Sequence, residues 1–281
     1  MSFPILGWLT RIWLLLAASS LAWSQTYNLL PRYQVGQSWI AREVYFVELR
    51  SEALPGGVQQ HSEETESTQV ITAIAVDGMV ECQVTINRAE PDNTPIWLKQ
   101  KHLGRSKLNG LRFAIVLDPS GEVIEVRPPE NMTPEIEPLF NILKQVYLNY
   151  SKMTSAPDEP VAVGGSWDKE LAFTLDWDDK TQHSTYNLNS RLSGLRKYQG
   201  IDCFEIQFEG DFHTTVDFGV PGTMQGKLKG YRLVDRQSGL PVKMEMKIDR
   251  ATSKMLFPEG EMVLELNMSH TKEFFEANAI R

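Results

Sequence analysis

The sequence predicts a mainly β fold (α+β), built from antiparallel strands in two weakly repeated halves and carrying one main helix. Three observations predict it. Apolar and polar residues alternate with period two through most of the chain, as in Leu111, Phe113, Ile115 and Leu117, and in Val242, Met244, Met246 and Ile248. Such alternation marks antiparallel strands with one wet face. One segment departs from it: Leu139, Phe140, Ile142, Leu143, Val146, Tyr147 and Tyr150 fall at helical spacing. Short landmarks also recur in one order. Val35-Gly36-Gln37-Ser38-Trp39 returns as Val163-Gly164-Gly165-Ser166-Trp167, Asp77-Gly78 as Gln199-Gly200, and Asp118-Pro119-Ser120-Gly121 as Asp235-Arg236-Gln237-Ser238-Gly239. Each is also a plain turn signal, so the argument for a repeat rests on their common order.

Residues 1–24 read as a signal peptide. They hold one cation, Arg11, an apolar run from Ile12 to Ala18, and small residues at Ala22 and Ser24 ahead of a mature start at Gln25. The run is short of the roughly 20 apolar residues of a membrane span. No cysteine stands near the cleavage point, so a lipid-anchored product is not expected. After it, Ile40 to Leu49 is a long strand. Gly56-Gly57 and the acidic run Ser62 to Glu66 read as the exposed end of a hairpin. Thr68 to Val76, Val80 to Ile86 and Leu111 to Leu117 continue the strands.

Thr133-Pro134-Glu135 then offers a cap, a first-turn proline and an acid for the helix dipole. Pro138 lacks an N–H, so the regular helix is expected at 138–151. Ser155 to Pro160 is linker. Leu171 to Trp177, Ile201 to Phe208, Val242 to Ile248 and Met262 to Met268 are strands of the second half. The chain therefore divides into a signal peptide (1–24), a first half of the sheet with its helix (25–155) and a second half of the sheet (156–281). Whether the halves share one sheet or form two small domains is open at this stage.

Charge narrows the partners. The 281 residues hold 28 Lys+Arg against 36 Asp+Glu, a net charge of −8. Nucleic acid and anionic membrane surfaces need positive potential and are not expected. The two cysteines of an exported chain meet an oxidising compartment, where pairs often bridge. Cys82 shares the inward register of Val80, Val84 and Ile86. Cys203 alternates out of the apolar register of Phe204, Ile206 and Phe208. That placement is poor for a bridge, and both a disulfide and two separate thiols stay open.

No catalytic, metal or cofactor set emerges. There is no Gly-x-Ser-x-Gly elbow, and the five histidines lack the spacing of a zinc site. Asp211, His213 and Asp217 could share one strand face as cation ligands, but an amphipathic strand's polar side explains them as well. Asp176, Asp178 and Asp179 read as a strand end in solvent. Lys99, Lys101, His102, Arg105, Lys107 and Arg112 form a locally basic stretch, either a solvated hairpin or a docking surface for an acidic partner or lipid headgroup.

The turns Val35–Trp39 and Val163–Trp167, the Asp118–Gly121 turn and the Pro138–Tyr150 helix resemble the lipoprotein-carrier superfamily of LolA, LolB and LppX. The same grammar resembles a group of uncharacterised secreted bacterial proteins. The resemblance implies a strongly curved antiparallel sheet, a half-barrel, with the main helix packed on its concave face. It implies an exported, periplasmic or extracellular, non-enzymatic protein binding an apolar ligand, a lipid or lipidated peptide, between helix and sheet. The helix is then a lid. Leu139, Phe140, Leu143 and Tyr147 are the expected contacts to acyl chains, each buried methylene contributing about 0.8 kcal/mol. The methionines Met244, Met246, Met262 and Met268 would suit an irregular ligand. The alternative is an envelope or extracellular scaffold with a filled core, binding a protein partner. A secreted hydrolase is the third class.

Overall fold

Once a strand forms, alternation fixes where its side chains go, because successive Cβ atoms point to opposite faces. The computed structural model describes residues 25–54, 56–90, 105–129, 132–177, 180–217, 221–257 and 260–277. The segment read as a signal peptide, 1–24, lies outside them. The elements are β1 (Thr26–Tyr27), β2 (Ser38–Arg50), β3 (Val58–Ile74), β4 (Val80–Glu90), a 3-10 turn (Arg105–Leu108), β5 (Arg112–Leu117) and β6 (Val123–Arg127). There follow α1 (Glu137–Thr154), β7 (Val161–Ala162), β8 (Ser166–Trp177), β9 (Lys180–Tyr198), β10 (Ile201–Asp217), β11 (Pro221–Asp235), β12 (Pro241–Phe257) and β13 (Gly260–Glu276).

Eleven strands make one antiparallel sheet in the order β6-β5-β4-β3-β2-β13-β12-β11-β10-β9-β8, and β1 pairs with β7 beside it. The sheet is not closed: β6 and β8 are its two edges. The question left open by the sequence is thus answered by one ladder. Strands β2 and β13 join the halves through twelve residue pairs, from Trp39 opposite Glu276 to Arg50 opposite Glu265.

The two Val-Gly-x-Ser-Trp turns make the same bonds. Gly36, at φ +83°, donates its N–H to the Ile71 carbonyl (2.9 Å), and Ile71 donates back to Gln37 (2.9 Å). Gly164, at φ +89°, donates to Leu192 (2.7 Å), and Leu192 donates back to Gly165 (3.0 Å). Only glycine adopts that left-handed backbone without strain. Both receiving side chains, Ile71 and Leu192, are buried. The later turns match too. The carboxylate of Asp118 accepts the Ser120 N–H and that of Asp235 the Gln237 N–H, each at 2.9 Å. Where the second half continues from β12 into β13, the first continues from β6 into α1.

Two local expectations are corrected. The acidic run Ser62 to Glu66 lies within β3, not in a hairpin end. Arginines on the flanking strands carry it: Arg42 meets Glu66 at 3.2 Å and Arg88 meets Glu64 at 2.5 Å. The helix begins at Glu137 and ends at Thr154, longer than 138–151. Its N-cap is Ile136 without a side-chain bond. The Thr133 carbonyl, not its hydroxyl, accepts the N–H groups of Ile136 and Glu137, both at 3.0 Å. Residues 134–136 already turn, so Thr133 lies too far upstream to cap with its side chain.

The core follows the period-two registers. Val242, Met244, Met246 and Ile248 are all buried, as are Val80, Cys82, Val84 and Ile86. One cluster joins β3–β6 to Leu139 and Phe140 of α1. Another joins β9–β13 to Tyr150 and Met153 at the other end of the same helix. A third gathers Leu29, Ala156, Leu192, Phe204, Ile206 and Val234. Cys203 packs with Leu233 and Val242, apart from the cluster of Cys82. Both cysteines are free thiols, which decides between the two alternatives the sequence left open.

Candidate functional site

The site is where α1 meets the sheet, and the four predicted helix residues fall at one end of it. Leu139 and Phe140 are buried against the first-half cluster, while Leu143 and Tyr147 pack on it half-buried. The Phe113 ring stands edge-on to Phe140 (centroids 5.6 Å) and to Tyr147 (5.5 Å). Helical spacing brings these four together because i, i+4 and i+8 residues share a face.

Beyond Tyr147 the contacts turn polar. Three successive residues reach three separate parts of the sheet. The Tyr150 hydroxyl bonds His270 Nδ1 on β13, the middle strand. The Ser151 hydroxyl accepts the Val123 N–H on edge strand β6 at 2.9 Å. The Lys152 carbonyl accepts from the Lys169 ammonium on the opposite edge strand, β8, at 3.0 Å.

His270 leads on to charge. Its Nε2 faces Glu43 Oε2 at 3.5 Å, and the other carboxylate oxygen meets Lys272 Nζ at 2.5 Å. The imidazole thus links the Tyr150 hydroxyl on one side to the Glu43 carboxylate on the other. Burial pushes the Glu43 carboxyl upward, but Lys272 and His270 together outweigh it and hold the group well below the usual carboxylate range. Burial pushes the phenols of Tyr147 and Tyr150 well above theirs, so both stay neutral.

The helix C-terminus meets two more cations. Lys169 also donates to the Ser155 carbonyl (3.4 Å) and to its hydroxyl. Arg232, 8% exposed, donates to the Ser155 carbonyl at 3.3 Å. Together with Tyr150, Met153, Phe208, Met244 and Met246, it borders an apolar cavity of about 10 Å³. That volume is about the least that admits one water. A separate groove of about 590 Å³ crosses β8–β12 and is bordered by Lys169, Glu170, Asn189, Glu209, Asp211 and Lys229, among others.

Glu43, Lys169, Arg232 and His270 were missed by the sequence reading. Their signal was present: each falls on the apolar register of its strand. Lys169 lies between Trp167 and Leu171, Arg232 between Gly230 and Val234, His270 two residues after Met268, and Glu43 between Ala41 and Tyr45.

The remaining candidates do not converge. Asp211 and His213 are exposed on β10, and the side chain of Asp217 lies outside the described residues. Among the described residues no three His, Cys, Asp or Glu groups are placed to hold a metal ion. Lys99, Lys101, His102, Asp178 and Asp179 fall outside the described residues, as do the side chains of Arg105 and Asp176. Lys107 pairs with Glu135 at 3.3 Å, and Arg112 is exposed. Burial pushes the thiols of Cys82 and Cys203 up to about 12 and about 11, away from nucleophilic use.

No family model and no curated protein matches the chain. Solved structures with some likeness include the hypothetical lipoprotein YmcC of Escherichia coli K12, at 12% identity and TM-score 0.27, covering 92% of this chain and 95% of that one. The attachment invasion locus protein Ail of Yersinia pestis matches at 6% identity and TM-score 0.19, over 86% and 100%. A mutant of the Rh. blastica porin matches at 7% and 0.24, over 85% and 100%. No described helix is long and apolar enough to cross a membrane.

Proposed function

We propose that the protein is exported and binds an apolar ligand, a lipid or lipidated peptide, between α1 and the face of the sheet that carries it. The observation behind this reading is the reach of the helix. Eleven strands laid flat at about 4.8 Å spacing would spread about 48 Å from first to last. An 18-residue helix is about 27 Å long, yet its adjacent residues Ser151 and Lys152 bond the two opposite edges. That supports a sheet curled into a half-barrel around α1, with the helix on the concave side and its last turn bridging the gap.

Length supports the rest of the reading. Strands of 17 and 19 residues extend about 56–63 Å, so α1 covers only part of their inner face. Past it, Leu171, Phe173, Tyr186, Met224, Leu266 and Met268 are half-buried apolar residues. With a cavity of only about 10 Å³ beneath the helix, an acyl chain enters when α1 swings away, and Leu139, Phe140, Leu143 and Tyr147 become its contacts. The signal peptide read at 1–24 supports a periplasmic or extracellular location.

A second reading rests on that same small volume: a filled core with an open edge, β8 offering twelve residues to a protein partner. Native mass spectrometry of protein purified from an exporting host, with solvent extraction of the same sample, separates the two. A reproducible adduct that extracts as lipid, absent in Leu143→Arg, is expected. A clean mass that stays unchanged after incubation with lipids sinks the ligand reading and leaves the scaffold.

A further inference from the structure

We propose that Arg232 and Lys169 are the receptor for an anionic head group, so that the ligand is an acidic amphiphile with a carboxylate or phosphate at one end. This rests on the ligand reading above and adds the chemistry of the head. The argument starts from a missing partner. A buried cation ordinarily sits against a carboxylate, because an unpaired charge is costly to desolvate. Arg232 is more than nine-tenths buried, and among the described residues its hydrogen bonding is limited to the Ser155 carbonyl at 3.3 Å from Nη2. No carboxylate among the described residues lies within ion-pair distance of it or of Lys169.

Lys169 makes the deficit larger. Its ammonium is held by the Lys152 carbonyl and by the carbonyl and hydroxyl of Ser155. Burial and the repulsion of Arg232 each act on it more strongly than the attraction of Glu122, Asp158 or Asp118, and its affinity for a proton falls. Burial brings Arg232 down to about 10, so it remains charged at neutral pH. Two positive charges thus face the carbonyls at the end of α1. Those carbonyls carry about half a negative charge from the helix dipole, less than two cations demand.

The surroundings define the rest of the ligand. Arg232 opens on the cavity bordered by Met153, Phe208, Met244 and Met246, a flexible apolar wall. Lys169 also borders the separate groove across β8–β12 and is reached from there. The last turn of α1 therefore occupies the place of the head group. An acidic amphiphile displaces it by supplying a full charge to Arg232 and Lys169 while its chain replaces helix side chains along the methionines.

The test is calorimetric titration of the protein with oleate, with oleyl alcohol (the same chain, neutral head), and with dioleoyl phosphatidate. Oleate or phosphatidate is expected to bind at least tenfold tighter than oleyl alcohol, and the tighter of the two names the head as carboxylate or phosphate. Arg232→Met and Lys169→Met should each lose at least tenfold for the acidic ligand and change oleyl alcohol less than twofold, while Arg232→Lys keeps part of the preference. Arg232→Met should unfold at the same or a higher denaturant concentration, since it removes an unpaired charge. If Arg232→Met unfolds earlier and keeps the preference, the arginine is a helix cap and the head-group site is wrong. Equal affinity for oleate and oleyl alcohol overturns the head-group site alone. Failure of all three ligands to bind overturns the ligand reading beneath it.

Discussion

Glu43 is the residue on which the middle of the sheet turns electrostatically. It joins Lys272 to His270, and His270 to Tyr150 of the helix. Its carboxyl titrates below its ordinary value, so the folded chain binds that proton less readily than the unfolded chain does. The stabilisation is therefore complete above the unfolded value, near about 4.3, and is lost as pH falls through the folded one. Glu43→Gln should lower unfolding free energy by about 2 kcal/mol at pH 7, below the usual cost of breaking a buried pair because the side chain is 31% exposed. Denaturant melts from pH 7 to pH 3 should show that gap closing below about pH 4.3; a gap that persists in acid would mean lost packing instead. Glu43 sits on the apolar side of its strand, and alternation alone locates it there. What alternation withholds is the partner. Lys272 and His270 lie across a ladder between two ends of the chain, and nothing in the local sequence sets the β2–β13 register.

At the scale of elements, α1 is fastened by tertiary bonds more than by its own cap. Ser151 accepts the Val123 N–H at 2.9 Å and donates to the Leu148 carbonyl at 3.3 Å, in a buried position. Ser151→Ala leaves that strand N–H without its acceptor and should cost about 1–3 kcal/mol. Thr133→Ala should stay within about 0.5 kcal/mol, because the turn uses the Thr133 carbonyl. Equal losses in thermal or urea melts would restore the side-chain cap that the sequence suggests. The helix's apolar face was legible from its period: six of the seven periodic residues are buried or half-buried, while Val146 is exposed. Its ends were not, since they depend on which sheet strand meets Ser151. Strand β11 shows another local device. Gly230 lies opposite Phe208, whose ring would be 2.6 Å from an added Cβ, with the Glu245 carbonyl at 2.1 Å. Gly230→Ala forces that strand and ring apart and should cost about 1–3 kcal/mol or more, read as an earlier urea midpoint.

For the whole molecule, the question is whether two repeated halves behave as one body. Two structures argue that they do. The β2–β13 ladder carries twelve pairs, so neither half keeps a complete sheet without the other. The helix has one foot in each: Phe140 in the cluster of β3–β6 and Met153 in that of β9–β13. The ordered landmarks made the two halves visible in the sequence. Their fusion was not visible, because a strand's outer neighbour depends on pairing between distant segments and leaves no local mark. A shared ladder and a shared helix predict one cooperative urea transition, with tryptophan fluorescence and far-ultraviolet dichroism coinciding. Phe140→Ala, which empties a fully buried ring site, should cost about 3–5 kcal/mol and move that single midpoint without splitting it. Met153→Ala should move the same midpoint by less, since Met153 is half-buried. If Phe140→Ala instead detached an early transition that left the signal of the second half in place, the halves would be separate folding units. The helix would then be a strap between them rather than the centre they share.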